Sequence, residues 1–398
     1  MYKIDEEKFK EKYYLLIPAM LDDHFPLLKY AFYSEDYHPV ILENTKGIKE
    51  VGLRFVNNDM CYPAILNIGQ MIGALESGKY DYKKTVLMMP QAGDMCRGSN
   101  YISLLRKALR ESGIDVLVLS LNVKGLEDGM KVNIHIYMVW RAIVSVIYGD
   151  LLMLICNQTR PYERNKGETE KLRKEWTEKI SDDLKKGKNL SLAAVWKNVY
   201  KICASFRKIL RSEVQKKKVG ITGELYIRYC SIGNSDLIKT LENENCECFV
   251  SGLLWYILYY LETHLSSEGK IKKYAFKTFY SFILGIQKKL IKILRENNYC
   301  SMDSYDEYKE SALKYIEKGC SVGDGWLMGA DIVAFSKSGY TKIIGAQPFG
   351  CMVNQVCGKG MYAALSRKLG NVTIASVDFD PGASHLNIIN RIMMILAS

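Results

Sequence analysis

Three cysteines in this chain share one kind of setting. Cys61 lies in NNDMCYPA, Cys96 in PQAGDMCRGSN and Cys351 in QPFGCMVNQ. Each stands in a loop before a segment with helical spacing. Each has Gly or Pro close by, which lets backbone and ligand approach one another. A helix N-terminus favours a thiolate through its dipole and its free N–H groups. In open parallel sheets, ligands bind beyond the carboxyl ends of the strands. Strand-to-helix crossovers are therefore where such thiols can meet. Three thiolates in one site suit an iron–sulfur cluster with an open or differently ligated iron, since a full cubane normally takes four.

The remaining cysteines carry weaker signals. The chain has 11 in all and no C-x-x-C, so the commonest zinc and ferredoxin spacings are absent. Cys357 follows Cys351 on the same loop and is a candidate fourth ligand. Cys246 and Cys248 form a C-x-C on or beside a short strand. Cys156, Cys203, Cys230, Cys300 and Cys320 read as core. Gln91, Arg97, Gln347 and Asn354 flank the three cysteines, either as donors to cluster sulfur or as turn-stabilising groups. His24, in LDDHFPL, either lines a cleft or packs internally. His385 opens the last helix. No Ser–His–Asp set and no acid–base carboxylate pair stands out.

The elements that must position these residues alternate strand and helix. YYLLIPAM, HPVILEN, KTVLMMPQ and DVLVLSLN read as strands. FPLLKYAFYSED, AILNIGQMIGALESG (with Gly78 as its stop) and YISLLRKALRESG read as helices. This rhythm predicts an α/β fold with a parallel, helix-covered sheet over residues 1–134. Residues 135–217 are almost wholly helical in pattern and strongly charged. The α/β rhythm resumes over 218–398, interrupted by a helical insertion near 270–318. The layout is two parallel-sheet lobes with helical material between and around them.

The loop IIGAQPFGCMVNQVCGKGMYAAL fails as a nucleotide cradle. Walker A needs four residues between its first glycine and Gly-Lys, with Ser or Thr after the lysine; here the spacing is longer and Gly360 follows Lys359. Gly358-x-Gly360-x-x-Ala363, with Asp378 and Asp380 downstream, matches the dinucleotide pattern, but PFGCMVNQVC separates it from the strand and breaks the tight turn. DFDPGAS reads as a strand-ending turn.

Over 398 residues the hydrophobic share is 48%, ample for sizeable cores, and the formal charge is +11. Much of that charge lies in RNKGETEKLRKEW, DDLKKGKN, RKILRSEVQKKK and GKIKKYAFK. No RNP motif, zinc-finger spacing or glycine–arginine tract accompanies it, which speaks against nucleic acid. A basic surface equally suits an acidic partner or an anionic substrate such as a coenzyme A thioester. MYKIDEEKFKEKYY has no apolar signal region. GLLWYILYYL and VSVIYGDLLMLIC are too short or carry a charge for a membrane span. The expectation is a cytoplasmic protein with reduced thiols.

Five stretches carry a resemblance: VNNDMCYPAILNIGQMIGALESGKYD, MMPQAGDMCRGSNYISLLRKAL, GITGELYIRYCSIGNSDLIKTLE, GDGWLMGADIVAFSKSGYTKIIGAQPFGCMVNQVCGKGM and DFDPGASHLNIINRI. Together they resemble the 2-hydroxyacyl-CoA dehydratase superfamily, and more closely the dehydratase-like part of acyl-CoA dehydratase activase-related proteins of anaerobes. The likeness covers both α/β lobes and not the helical middle. It implies two flavodoxin-like lobes and an oxygen-sensitive iron–sulfur cluster, of [4Fe-4S] or double-cubane type, held by three cysteines per subunit. By motif these are Cys61, Cys96 and Cys351. It further implies a dimer with a like or related subunit, and electrons delivered by a separate ATP-hydrolysing activator. The expected activity is that of a low-potential dehydratase or reductase component. The alternative is a non-catalytic scaffold or cluster carrier. The chain departs from the pattern in having no fused activator and in PQAGDMCRG, which replaces a more glycine-rich run before Cys96.

Overall fold

The computed structural model describes residues 13–90, 96–121, 135–264 and 270–398. Its strands are β1 (Tyr13–Ile17), β2 (Tyr37–Ile41), β3 (Thr85–Pro90), β4 (Leu117–Leu121), β5 (Lys217–Gly223), β6 (Cys246–Val250), β7 (Lys342–Pro348) and β8 (Thr373–Phe379). They form two separate four-stranded sheets, ordered β2-β1-β3-β4 and β6-β5-β7-β8. Every strand pairing is parallel. Runs such as TVLMMP and KIIGAQP are buried along almost their whole length. Strands covered by helices on both faces require that, because neither face meets water. The two lobes are thus flavodoxin-like halves with the same strand order. Each has a crevice where the order reverses, between β1 and β3 and between β5 and β7.

The chain between the sheets folds as the helices Ile136–Thr159, Glu168–Lys186 and Leu192–Phe206. The first is almost entirely buried from Val144 onward. The stretch Ile136–Tyr162 is long and apolar enough to cross a membrane by length and composition, yet 78% of its apolar window is buried inside the protein. It is the helix on which the lobes are assembled. Asp150, midway along it, is fully buried and accepts three hydrogen bonds. These come from His24 Nε2 at 2.8 Å, Leu253 N at 2.6 Å and Leu254 N at 3.0 Å. His24 belongs to the loop after β1, and Leu253 begins the Leu253–His264 helix after β6. Gly149 lets the His24 ring lie against the helix, since a β-carbon there would come within 2.4 Å of it.

The lobes also meet directly, at the carboxyl ends of their central strands. Asp22 N donates to Tyr229 O at 3.2 Å and Ser231 N donates to Asp22 Oδ2 at 2.8 Å. The Cys230 thiol donates to Ala19 O at 3.4 Å. The loop after β1 therefore packs on the turn that follows β5, and the two crevices face one another.

One expectation changes and one gains detail. FPLLKYAFYSED is helical only over Phe25–Leu28, with a 3-10 turn to Ala31. The Ser34 hydroxyl accepts from Asp36 N and Tyr37 N at 3.2 and 3.1 Å, and so competes with helical bonding. The segment 270–318 is two helices, Lys270–Glu296 and Tyr305–Ala312, with Asn298 in the left-handed region between them and a Ser304–Glu307 capping box restarting the chain.

Replacing Asp150 with Ala leaves two backbone N–H groups and the His24 ring without their acceptor. At about 1–3 kcal/mol for each buried unsatisfied group, the variant should lose at least ~3 kcal/mol of stability, measured by denaturant unfolding. An unchanged midpoint would show that the lobes do not depend on this carboxyl.

Candidate metal centre at the facing sheet edges

The three singled-out cysteines each begin a helical segment. Cys61 caps the Tyr62–Glu76 helix, where Pro63 enters the first turn, and its carbonyl accepts from Ala64 N at 2.9 Å. It follows the Ile48–Phe55 helix rather than a strand, so its setting is a helix-to-helix junction and not a strand-to-helix crossover. Cys96 caps the 3-10 turn Arg97–Asn100 that leads into the Tyr101–Glu111 helix. Cys351 follows β7, and its carbonyl accepts from Gln355 N at 2.9 Å. Gly350, at φ 69°, makes the left-handed turn that brings the chain off the sheet just before it.

Each of the three sulfurs has a hydrogen-bonding neighbour. The Tyr101 hydroxyl lies 3.1 Å from Cys61 Sγ. Gly98 N donates to Cys96 Sγ at 3.3 Å, and Asn354 Nδ2 donates to Cys351 Sγ at 3.3 Å. Donors of this kind favour sulfur that carries negative charge. Arg97 Nη1 donates to Asp59 O at 2.8 Å, tying the Cys96 turn to the loop that carries Cys61.

Electrostatics place the three thiols in one region. Burial pushes the Cys61 thiol up strongly; Glu224, Cys351 and Cys96 add to the shift, against the Tyr101 hydroxyl. Burial likewise raises Tyr101 far above its usual range, with Cys61, Glu224 and Cys96 contributing. Cys351 is pushed up to about 11, first by burial; Asn354 opposes this, while Glu224 and Asp324 add to it. Cys61, Cys96, Cys351 and Glu224 are thus electrostatic neighbours, drawn from both lobes. A set of acids that raise one another's pKa is a set that a cation would relieve.

Glu224 is the residue that reading the sequence missed. It stands directly after β5, at the crevice of the second lobe, and its Oε2 accepts from Ile227 N at 2.9 Å. Burial, then the neighbouring Asp324, pushes its carboxyl up to about 7. The only signal for it was its place in GITGELYIR at the end of a strand. Asp324, which is buried, was also missed; it accepts from Leu225 N at 3.4 Å.

Other candidates fall away from the sulfurs. Gln347 is fully buried and donates to Asp378 Oδ1 at 2.6 Å, so it secures β7 to β8. Gln91 lies outside the described residues. His24 is the packed partner of Asp150, and His385 is exposed at the start of the last helix. Cys246 and Cys248 are buried within β6, and Cys156, Cys203 and Cys230 are core. Cys300 is half-buried. Cys320 is exposed, not core, because it sits in the turn before the Leu327–Lys337 helix. The Cys357 thiol is raised first by burial and then by its neighbour Cys320. Lys359 pairs with Asp378 at 3.4 Å, and Asp380 Oδ1 accepts from Gly382 N at 2.6 Å as the cap of a strand-ending turn. Among the described residues, no three His, Cys, Asp or Glu side chains close on a single ion.

Glu224 yields a pH test. Its pKa is higher in the folded chain than its ordinary 4.5, so the native state binds more protons and stability falls as pH rises from 4.5 through about 7. Glu224→Gln should remove that decline and be more stable than the parent above it, seen as a flatter profile of unfolding midpoint against pH. A decline that survives the substitution would assign it to another group. As for known proteins, no family model matches the sequence and no curated protein matches it.

Proposed function

We propose that the chain is an iron–sulfur protein of the 2-hydroxyacyl-CoA dehydratase type, acting as a low-potential reductase or dehydratase component supplied with electrons by an ATP-hydrolysing activator. The observation that carries this reading is the electrostatic proximity of Cys61, Cys96 and Cys351, three thiols from distant segments, each with a hydrogen-bonding neighbour at its sulfur. The donor set fits the group: three thiols, as the quoted motifs imply, and no histidine among them. A bound cluster would supply electron transfer and, at an iron without a thiolate, a place for substrate oxygen.

The chain's own residues have definable work around it. Of the three cysteines, Cys96 accepts a backbone N–H from the turn it caps, that of Gly98. Tyr101, Gly98 and Asn354 hold the sulfurs, which fixes their orientation and favours their charged form. Glu224 keeps a proton at its carboxyl near neutral pH, within electrostatic reach of Cys61 and Cys351, and is the group placed to give or take one there. Phe349, Met352 and Val356, at 66%, 54% and 60% exposure, surround Cys351 with apolar surface. That surface suits contact with a partner, and it also favours the second reading, a carrier that passes its cluster to a partner subunit.

Cys351→Ser, purified without oxygen, should lose its iron, sulfide and visible absorption while keeping the fold; Cys230→Ser should keep all three. Full iron and sulfide in the Cys351 variant would end the reading. The parent's cluster should resist mild reductants until activator and ATP are added, because only the low end of the roughly −700 to +450 mV range calls for ATP-driven electrons. A carrier would instead yield its iron to an acceptor protein without turnover. The isolated chain should show no tight ATP binding by calorimetry.

A further inference from the structure

Cys320 and Cys357 stand beside the three-thiol region and are used by none of the chemistry above. Cys357 lies on the π-helical turn Asn354–Lys359, and after burial Cys320 is the neighbour that most raises its thiol, so the two thiols lie within electrostatic reach across two separate loops. Packing holds those loops together. Val353 reaches to 3.3 Å from the position a β-carbon would take at Gly323, and within the Gly323 turn Trp326 N donates to Cys320 O at 2.6 Å, which closes it. Cys320 is exposed and Cys357 is half-buried behind it. Single π-turns inside helices are rare and occur mostly at functional sites.

We propose that Cys320 and Cys357 form a reversible dithiol–disulfide pair at the rim of the three-thiol region, oxidised by a small-molecule disulfide. The exposed Cys320 thiolate attacks one sulfur of the small disulfide, breaking its S–S bond and releasing one small thiol. The Cys357 sulfur then attacks the mixed disulfide at Cys320 and releases the second. The protein gives up two protons and two electrons, and the small disulfide takes up both as two thiols. Burial and the neighbouring Cys320 push Cys357 up to about 12, which suits a thiol that stays protonated until it resolves the adduct.

The bond would join the Cys320–Trp326 turn to the segment that Cys351 begins. Asp324, beside Glu224, sits in that turn. Oxidation therefore clamps one wall of the three-thiol region, while reduction leaves it free to part.

The test uses the full chain, reduced and then equilibrated without oxygen against graded ratios of oxidised to reduced glutathione. Remaining thiols are alkylated and the protein is mapped by mass spectrometry. The expected result is one crosslinked peptide joining Cys320 and Cys357, loss of two of the 11 thiols, and full reversal by dithiothreitol. Cys357→Ser should instead hold a glutathione adduct on Cys320, and Cys320→Ser should form no crosslink. A glutathione adduct on Cys320 of the parent without crosslink, no reaction at all, or a Cys351–Cys357 crosslink overturns the proposal. Iron content separates it from the cluster reading. If Cys357→Ser loses iron as Cys351→Ser does, Cys357 is a ligand and the dithiol proposal fails while the cluster stands. If Cys351→Ser keeps its iron, the cluster reading fails and the dithiol is judged by its own crosslink.

Discussion

A single buried carboxyl holds together what the chain separates. Asp150 sits on the central helix and accepts from the loop after β1 and from the helix start after β6. Its two oxygens thereby fix the first lobe, the helical layer and the second lobe in one orientation. Buried polar groups of this kind are costly unless every partner is present. Asp150 does not act alone: Arg173 bridges Asp23 of the first lobe to Glu170 of the helical layer, and Arg160 bridges Glu170 to Glu242 of the second lobe, so the same three units are tied again by partly exposed charges.

Facing crevices explain why the candidate centre has the electrostatics it has. Segments from both lobes bring Cys61, Cys96, Cys351 and Glu224 together: after burial, Glu224, Cys351 and Cys96 oppose ionisation of Cys61, and Glu224 opposes that of Cys351. Arg228, the buried cation that lowers the Glu224 pKa, is engaged with Asp331 at 2.7 Å and Ser251 at 3.1 Å. Loading the region with metal would couple to proton release, since thiols bind metal only as thiolates. In that state the Tyr101, Gly98 and Asn354 donors become charge-assisted, and the arrangement shifts from mutually opposed to mutually supportive.

The strand sequence and lobe layout were legible because buried parallel strands read as short, continuous apolar runs, as in TVLMMP and KIIGAQP. The cysteine triplet was singled out by local context, a loop residue just before helical spacing, together with the resemblance of the surrounding motifs. What local context cannot carry is distance through space. Cys320 and Cys357 gave no sign of being neighbours, because two turns separated by the Leu327–Lys337 helix and β7 meet only after the second lobe has packed. Glu224 looked like one carboxylate among many, since its unusual proton affinity comes from burial and from Asp324, a hundred residues away in sequence. The short helix after Phe25 was misread because a serine hydroxyl outcompeted helical bonding, an effect hydrophobic spacing does not register.

The division of thiols between lobes also sets a timetable. Cys61 and Cys96 belong to the first lobe and leave the ribosome early, whereas Cys351 follows β7, late in the sequence. Between them the helical layer and most of the second lobe must be made and docked. Contacts of such long sequence separation form late in folding. Two thiols of the centre therefore wait, next to each other and incomplete, through most of synthesis. In the nascent chain that pair is therefore without the neighbours, Glu224 and Cys351, that raise the Cys61 thiol in the finished fold.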